Sequence, residues 1–391
     1  MVRNPLRPLM PGILGATSVF IALPAEAHVK WFAPYIVGAA PRPVSATLAD
    51  PYFWSGIALV LVFFTATRLV EVQGHGEGIL RVLNGMTAPL WLRLDDFVRA
   101  VIAAFFIAIF AVGGIYLTPD LKTDNSLVSW VQLSIAVGVF FRVTMPLSAL
   151  GVIGLWLLAL RDYDLFHLLD YLALGLGIAG YLVLASSRNV YLRRHRFDLL
   201  RWAVAISLMW SSLEKFAYPE WFYPLVLEKP FLTFGLARDA FIPMAGVAEF
   251  TLGFGLLSTA LIRRLSAIAL LVIFTAAVFP FGRVDLIGHG LIMAALIVIA
   301  VDRGREPQRR PGAGRVLLKI PASLAASLLV FAGAYWGTHD MIYEPASAAM
   351  AGYPATHSPD PDHPHPESMA GADHDAPGIA AGGNEAGPIL R

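Results

Sequence analysis

Ten histidines, and a few carboxylates set inside apolar runs, are where this chain could do chemistry; it has no cysteine. Without thiols, disulfide frameworks, thiol nucleophiles, iron–sulfur ligation and thiol–disulfide relay are excluded. Arg3 and Arg7 precede an apolar stretch from Leu9 to Leu23, and Ala25 and Ala27 frame a small-residue cleavage site. That pattern predicts a secretory signal peptide over 1–27, so that the mature chain begins at His28. An N-terminal histidine offers its amine and a ring nitrogen to one metal, a chelate that suits copper. The bland alternative is that any residue can follow a signal peptidase site.

An ionisable residue inside an apolar span is costly and marks a candidate site. Glu249 lies in such a run between Ala248 and Phe250, and Glu214 and Lys215 close the run before it. Together with Asp285 and His289 they are placed to converge in a helix bundle. Such a set would bind a quinone headgroup, a proton or a cation, or would only fix helix register as a buried pair. His167 and His289 both follow an aspartate at the end of a span, and with His339 they are candidate metal ligands. Haem is disfavoured for them, because its ligands normally sit well within helices. An interfacial histidine more often bonds a loop carbonyl or water. Further on, His357, His363, His365 and His374 alternate with Asp360, Asp362, Asp373 and Asp375. They are weak ligands for copper, zinc or nickel, in a Pro/Ala/Gly-rich stretch (337–391) whose composition also fits a solvated, disordered tail.

The elements that must position these residues are apolar. The chain is 57% hydrophobic and 15% charged, with a net charge of +1 and a mean hydropathy of +0.64, well beyond soluble proteins of this size. Apolar runs recur at about 52–71, 97–117, 127–141, 147–160, 166–185, 200–216, 241–260, 265–281, 286–301 and 316–336. The expected fold is therefore all-α and polytopic, with about ten transmembrane helices after a 28–50 segment. Arginines gather in alternate loops, at Arg81, Arg93, Arg142, Arg188, Arg193, Arg194, Arg196, Arg263, Arg264 and from Arg303 to Arg315. By the positive-inside rule those loops face the cytoplasm, which places both ends of the mature chain in the periplasm of a bacterial inner membrane. The same scattering of short basic clusters argues against nucleic-acid binding. Arg68 and Glu71 are spaced to pair within a helix, and 77–96 reads as an interfacial amphipathic segment. His75 and His195 fall on the cytoplasmic side and look incidental.

The chain also repeats itself. Arg93-Leu94-Asp95-Asp96-Phe97-Val98-Arg99 opens one four-helix block (94–188), and Arg196-Phe197-Asp198-Leu199-Leu200-Arg201 opens another (195–303). Their first helices exit through Tyr116 with Pro119 and Tyr218 with Pro219, and Asp164–His167 in one answers Asp285–His289 in the other. Four spans per block make the repeats parallel.

The second block resembles the DoxX-like family of four-helix membrane proteins. The residues carrying this are Leu213-Glu214-Lys215-Phe216 with Pro219, then Ala248-Glu249-Phe250-Thr251-Leu252-Gly253-Phe254-Gly255-Leu256-Leu257, then Gly288-His289-Gly290. They cover roughly a quarter of the chain, or nearly half with the divergent first block. The resemblance implies a four-helix bundle in the inner membrane, linked to quinol oxidation or periplasmic redox maturation. Some related bundles act through cysteines, which this chain lacks.

No nucleotide-binding loop, hydrolase elbow or zinc-protease signature appears. Three functional expectations follow. One is copper handling at the periplasmic face, without catalysis, alongside a periplasmic metal protein. The second is a quinone-linked redox subunit or accessory of a respiratory complex. The third is an assembly partner of a membrane complex.

Overall fold

The computed structural model describes residues 29–33, 35–303 and 313–343, and all regular elements among them are helical. The main helices are α1 (Pro51–Val72), α2 (His75–Met86), α3 (Leu94–Val112), α4 (Ser126–Gly138), α5 (Met145–Ala159), α6 (Leu165–Ser186), α7 (Arg196–Ser211), α8 (Arg238–Gly255), α9 (Ala260–Val301) and α10 (Ala313–Ile342). Local chemistry sets many of the ends. Asp50, Asn125 and Asp164 cap α1, α4 and α6 by accepting a backbone N–H with their side chains. The start of α9 is capped from elsewhere. Glu71, paired with Arg68 at 2.6 Å as its spacing implied, also accepts from Thr259 Oγ1 at 2.7 Å and Leu261 N at 2.8 Å.

Among the described residues, four helices are long and apolar enough to cross a membrane: α1, α6, α9 and the Leu318–Ile342 part of α10. The expected count of about ten crossings is not met on this measure, although helix is present at each expected run. The reason is length and charge. With 13 and 15 residues, α4 and α5 reach only about 20 Å at ~1.5 Å per residue, short of the ~30 Å apolar core. α3 carries Asp95, Asp96 and Arg99 in its first turns. The run at 200–216 is cut at Ser211, and Glu214–Ala217 forms a separate turn. Conversely, the runs at 265–281 and 286–301 fall in one element, α9, whose two limbs meet at a bend. Pro280 removes a donor there, and Gly282 takes φ 70°, a value that only glycine adopts without strain.

Three apolar clusters result. The smallest packs Val29 and Ala33 against Phe222, Phe241 and Phe281, and the other two are larger. One gathers α1, α7, α8, α9 and α10 around Phe64, Phe250 and Tyr335. The other gathers α3 to α6 around Ile109, Leu155 and Tyr181, and takes in Leu291 and Val298 of α9. Part of the described chain before α1 is drawn into the interior. Val29–Trp31 forms a 3-10 turn whose residues are all buried, and Ala33 and Tyr35 are buried as well.

Candidate functional site

The second limb of α9, the start of α6, the end of α7 and the middle of α8 meet around a cavity of about 50 Å³. Glu214, Lys215, Glu249 and His289 all line it, so four of the five residues singled out as a membrane-embedded polar site share one space. The fifth, Asp285, stands behind His289. Lys215 Nζ donates to Glu249 Oε2 at 2.7 Å, and Ser211 Oγ approaches Glu249 Oε1 at 3.4 Å. Lys215 also lies 4.9 Å from the Phe222 ring centroid.

A second lysine arrives from the N-terminal turn. Lys30 Nζ lies 2.6 Å from Asp170 Oδ2 and 2.8 Å from Glu214 Oε1, with all three side chains at most 5% exposed. Trp210 Nε1 donates to the other Asp170 oxygen at 3.0 Å. Burial works against the charge on Lys30, but the neighbouring Asp170 and Glu214 carboxylates outweigh it and hold its pKa well above the usual lysine value. Lys30 therefore stays an ammonium at neutral pH and ties the N-terminal turn to α6 and to the Glu214 turn.

His289 is held on three sides. Its Nδ1 lies 2.9 Å from Asp285 Oδ1, one helical turn back, while Trp31 and Phe274 pack on its ring with centroids at 4.6 and 4.7 Å. Gly288 makes room for Trp31, since a Cβ there would stand 2.1 Å from ring carbons Cζ3 and Cη2. Where Asp285 Oδ1 accepts from Nδ1–H, Nε2 is left as the ring's acceptor nitrogen. Among the described residues Nε2 has no hydrogen-bond partner, and Asp285 Oδ2 is likewise unsatisfied.

His167 and His289 do not touch. They are joined through side chains: His167 Nε2 meets Asp120 Oδ2 at 2.6 Å, Tyr171 donates to that same oxygen at 2.7 Å, and Trp31 Nε1 donates to the Tyr171 hydroxyl at 3.3 Å. Tyr35 contacts His167 Nδ1 at 2.8 Å, so both ring nitrogens of His167 are engaged. The repeat also breaks down in detail. Asp164 caps α6 by accepting from His167 N at 3.0 Å and takes the Tyr343 hydroxyl, whereas Asp285 bonds its histidine's ring.

Of the expected metal ligands, His167, His289 and His339 are described, and they form no cluster of three. His339 packs on Phe166 and Tyr343 and directs Nε2 to Ala39 O at 3.0 Å, apart from His289. Among the described residues no three His, Asp or Glu side chains are grouped to hold a metal. His28, His357, His363, His365 and His374 lie outside the described residues. His195 pairs with Asp198 at 3.4 Å on the surface.

Sequence reasoning missed Lys30, Trp31, Asp120, Asp170 and Tyr171 as members of the site. Asp170 carried the signal that singled out Glu249, a carboxylate within an apolar run, and was legible by the same rule. Lys30 carried none, because a lysine before the first span reads as a loop residue. No family model matches this chain, and neither does any curated protein or solved structure.

Proposed function

We propose that this chain is an integral membrane protein that takes up and releases protons at the cavity between Glu249, Lys215 and His289, as the proton-handling part of a quinone-linked redox assembly. One observation carries the reading: an imidazole with one nitrogen fixed by a carboxylate and the other unbonded lines the same buried cavity as a Lys–Glu pair. The cavity volume of about 50 Å³ admits a few waters, each needing roughly 10–15 Å³, and water between a carboxylate and an imidazole is a proton path. A quinone ring needs more room, so the redox link rests on the DoxX-like motifs of the second block. Two parallel repeats and periplasmic ends belong to the same proposal. Helix at every expected run and the alternation of arginine-rich loops support them.

The test is infrared difference spectroscopy of the full chain in lipid nanodiscs, stepped from about pH 5 to about 9, the range in which imidazoles titrate. Carboxyl or imidazole bands that change in the wild type and are altered by Glu249→Gln and by His289→Gln support it. A spectrum indifferent to both variants removes it. Quinone extracted from the purified protein bears on the redox link separately.

Copper handling is the second reading, favoured by one observation. Val29, which directly follows His28, lines the same cavity as His289. N-terminal sequencing with metal analysis decides it: a mature chain starting elsewhere, with no copper uptake, ends this reading.

A further inference from the structure

The opposite end of α6 holds a different site. Asp170 and Ala185, on the two sites, are 15 residues apart on α6, or about 22 Å at ~1.5 Å per residue. Here the starts of α3, α5 and α7, the end of α6 and the Val190–Arg194 turn surround a cavity of about 380 Å³. Four arginines line it, Arg99, Arg142, Arg193 and Arg196, with Asp95 as the one carboxylate of the lining.

The arginines are not equally engaged. Arg196 is bidentate on Asp95, Nε to Oδ1 at 2.6 Å and one terminal nitrogen to Oδ2 at 2.7 Å, and Tyr181 donates to Asp95 Oδ1 at 3.1 Å. Asp95 is thereby consumed, and this ion pair ties together the openings of the two blocks. Arg142 gives one N–H to Ser187 O at 2.8 Å, and Arg99 pairs with the exposed Asp96. Arg193 makes no ion pair and no side-chain hydrogen bond among the described residues. With Asp95 spent on Arg196, three guanidinium groups surround a space large enough for a small-molecule group.

Planar guanidinium forks in that number match a phosphate group better than any other common anion. The surroundings favour a lipid as its source. Phe141 and Val143, beside Arg142, are 63% and 90% exposed; Tyr191 and Leu192, beside Arg193, are 66% and 43% exposed. Apolar side chains that flank a basic pocket at one end of a helix bundle suit acyl chains next to a headgroup. We propose that this cavity binds the phosphate group of an anionic membrane lipid, held by Arg99, Arg142 and Arg193.

The test is thermal stability of the full chain in detergent, titrated with short-chain phosphatidylglycerol, phosphatidylcholine or inorganic phosphate, for the wild type and for Arg193→Gln. Arg193 loses no side-chain partner among the described residues, so this variant should fold as the wild type does. Saturable stabilisation by phosphatidylglycerol but not phosphatidylcholine, with about tenfold weaker apparent affinity in Arg193→Gln, supports the lipid site. Equal stabilisation by inorganic phosphate alone, also weakened in the variant, keeps the phosphate site and overturns the lipid as its source. No difference between the two lipids, or an unchanged response in Arg193→Gln, overturns the proposal.

Discussion

Asp285 Oδ1 lies 2.9 Å from His289 Nδ1, one turn apart on the limb of α9 that starts after the Gly282 bend, and neither side chain is more than 6% exposed. A buried carboxylate that fixes one nitrogen of an imidazole decides what the other can do. Asp285→Asn keeps the shape and removes the charge. The amide can present either its oxygen or its NH₂ to Nδ1, so the ring is no longer held in one tautomer. The expected result is mixed tautomers for His289 by nitrogen NMR and a stability loss of about 1.5–3 kcal/mol, typical of a hydrogen bond to a charged group. A single unchanged tautomer would show that the charge on Asp285 is not what fixes the tautomer of His289.

Lys30 bridges Asp170 and Glu214 from a turn that precedes the first long helix. Lys30→Met leaves two buried carboxylates without that cation, and breaking a buried ion pair from one side costs about 3–5 kcal/mol. Thermal unfolding in detergent should show that loss. The double variant Lys30→Met with Asp170→Asn should recover part of it, since one of the stranded charges is then gone.

The same lysine predicts a pH dependence. Its folded pKa is raised above the unfolded one, so its contribution is fully present below the unfolded value of about 10.4 and is lost as pH rises through the folded value. The stability difference between wild type and Lys30→Met should be flat from neutrality to about pH 10 and shrink above it. A difference that shrinks below about pH 9 would contradict this environment for Lys30.

Gly288 lets the Trp31 ring lie against α9. Gly288→Val must displace that ring, with an overpacking cost of about 1–3 kcal/mol. Removing Trp31 from beside His289 should shift indole emission to the red. In a Trp31→Ala background the same glycine substitution should cost markedly less, a coupling that a double-mutant cycle measures directly.

Much of the fold was legible in composition and periodicity. A hydrophobic share of 57% broken by short arginine clusters announces membrane helices, and helix is found at each apolar run. Glu214, Lys215, Glu249 and His289 were legible as a group because an ionisable side chain in an apolar run needs a polar partner wherever the chain folds. That is a property of each residue and its flanks, and the sequence determined it alone.

Only the tertiary structure decided which partners those are. The Lys30–Asp170 contact spans 140 residues and Arg196–Asp95 spans 101, separations at which no periodicity relates one residue to the other. Asp164 and Asp285 look equivalent in the repeat, yet one caps a helix and the other bonds an imidazole, because Asp164 stands at the N-terminus of α6 while Asp285 lies inside α9. Backbone position decides which donor a carboxylate meets. Helix length was decided there too, since α7 stops at Ser211 and turns Glu214 and Lys215 into the cavity instead of continuing the span.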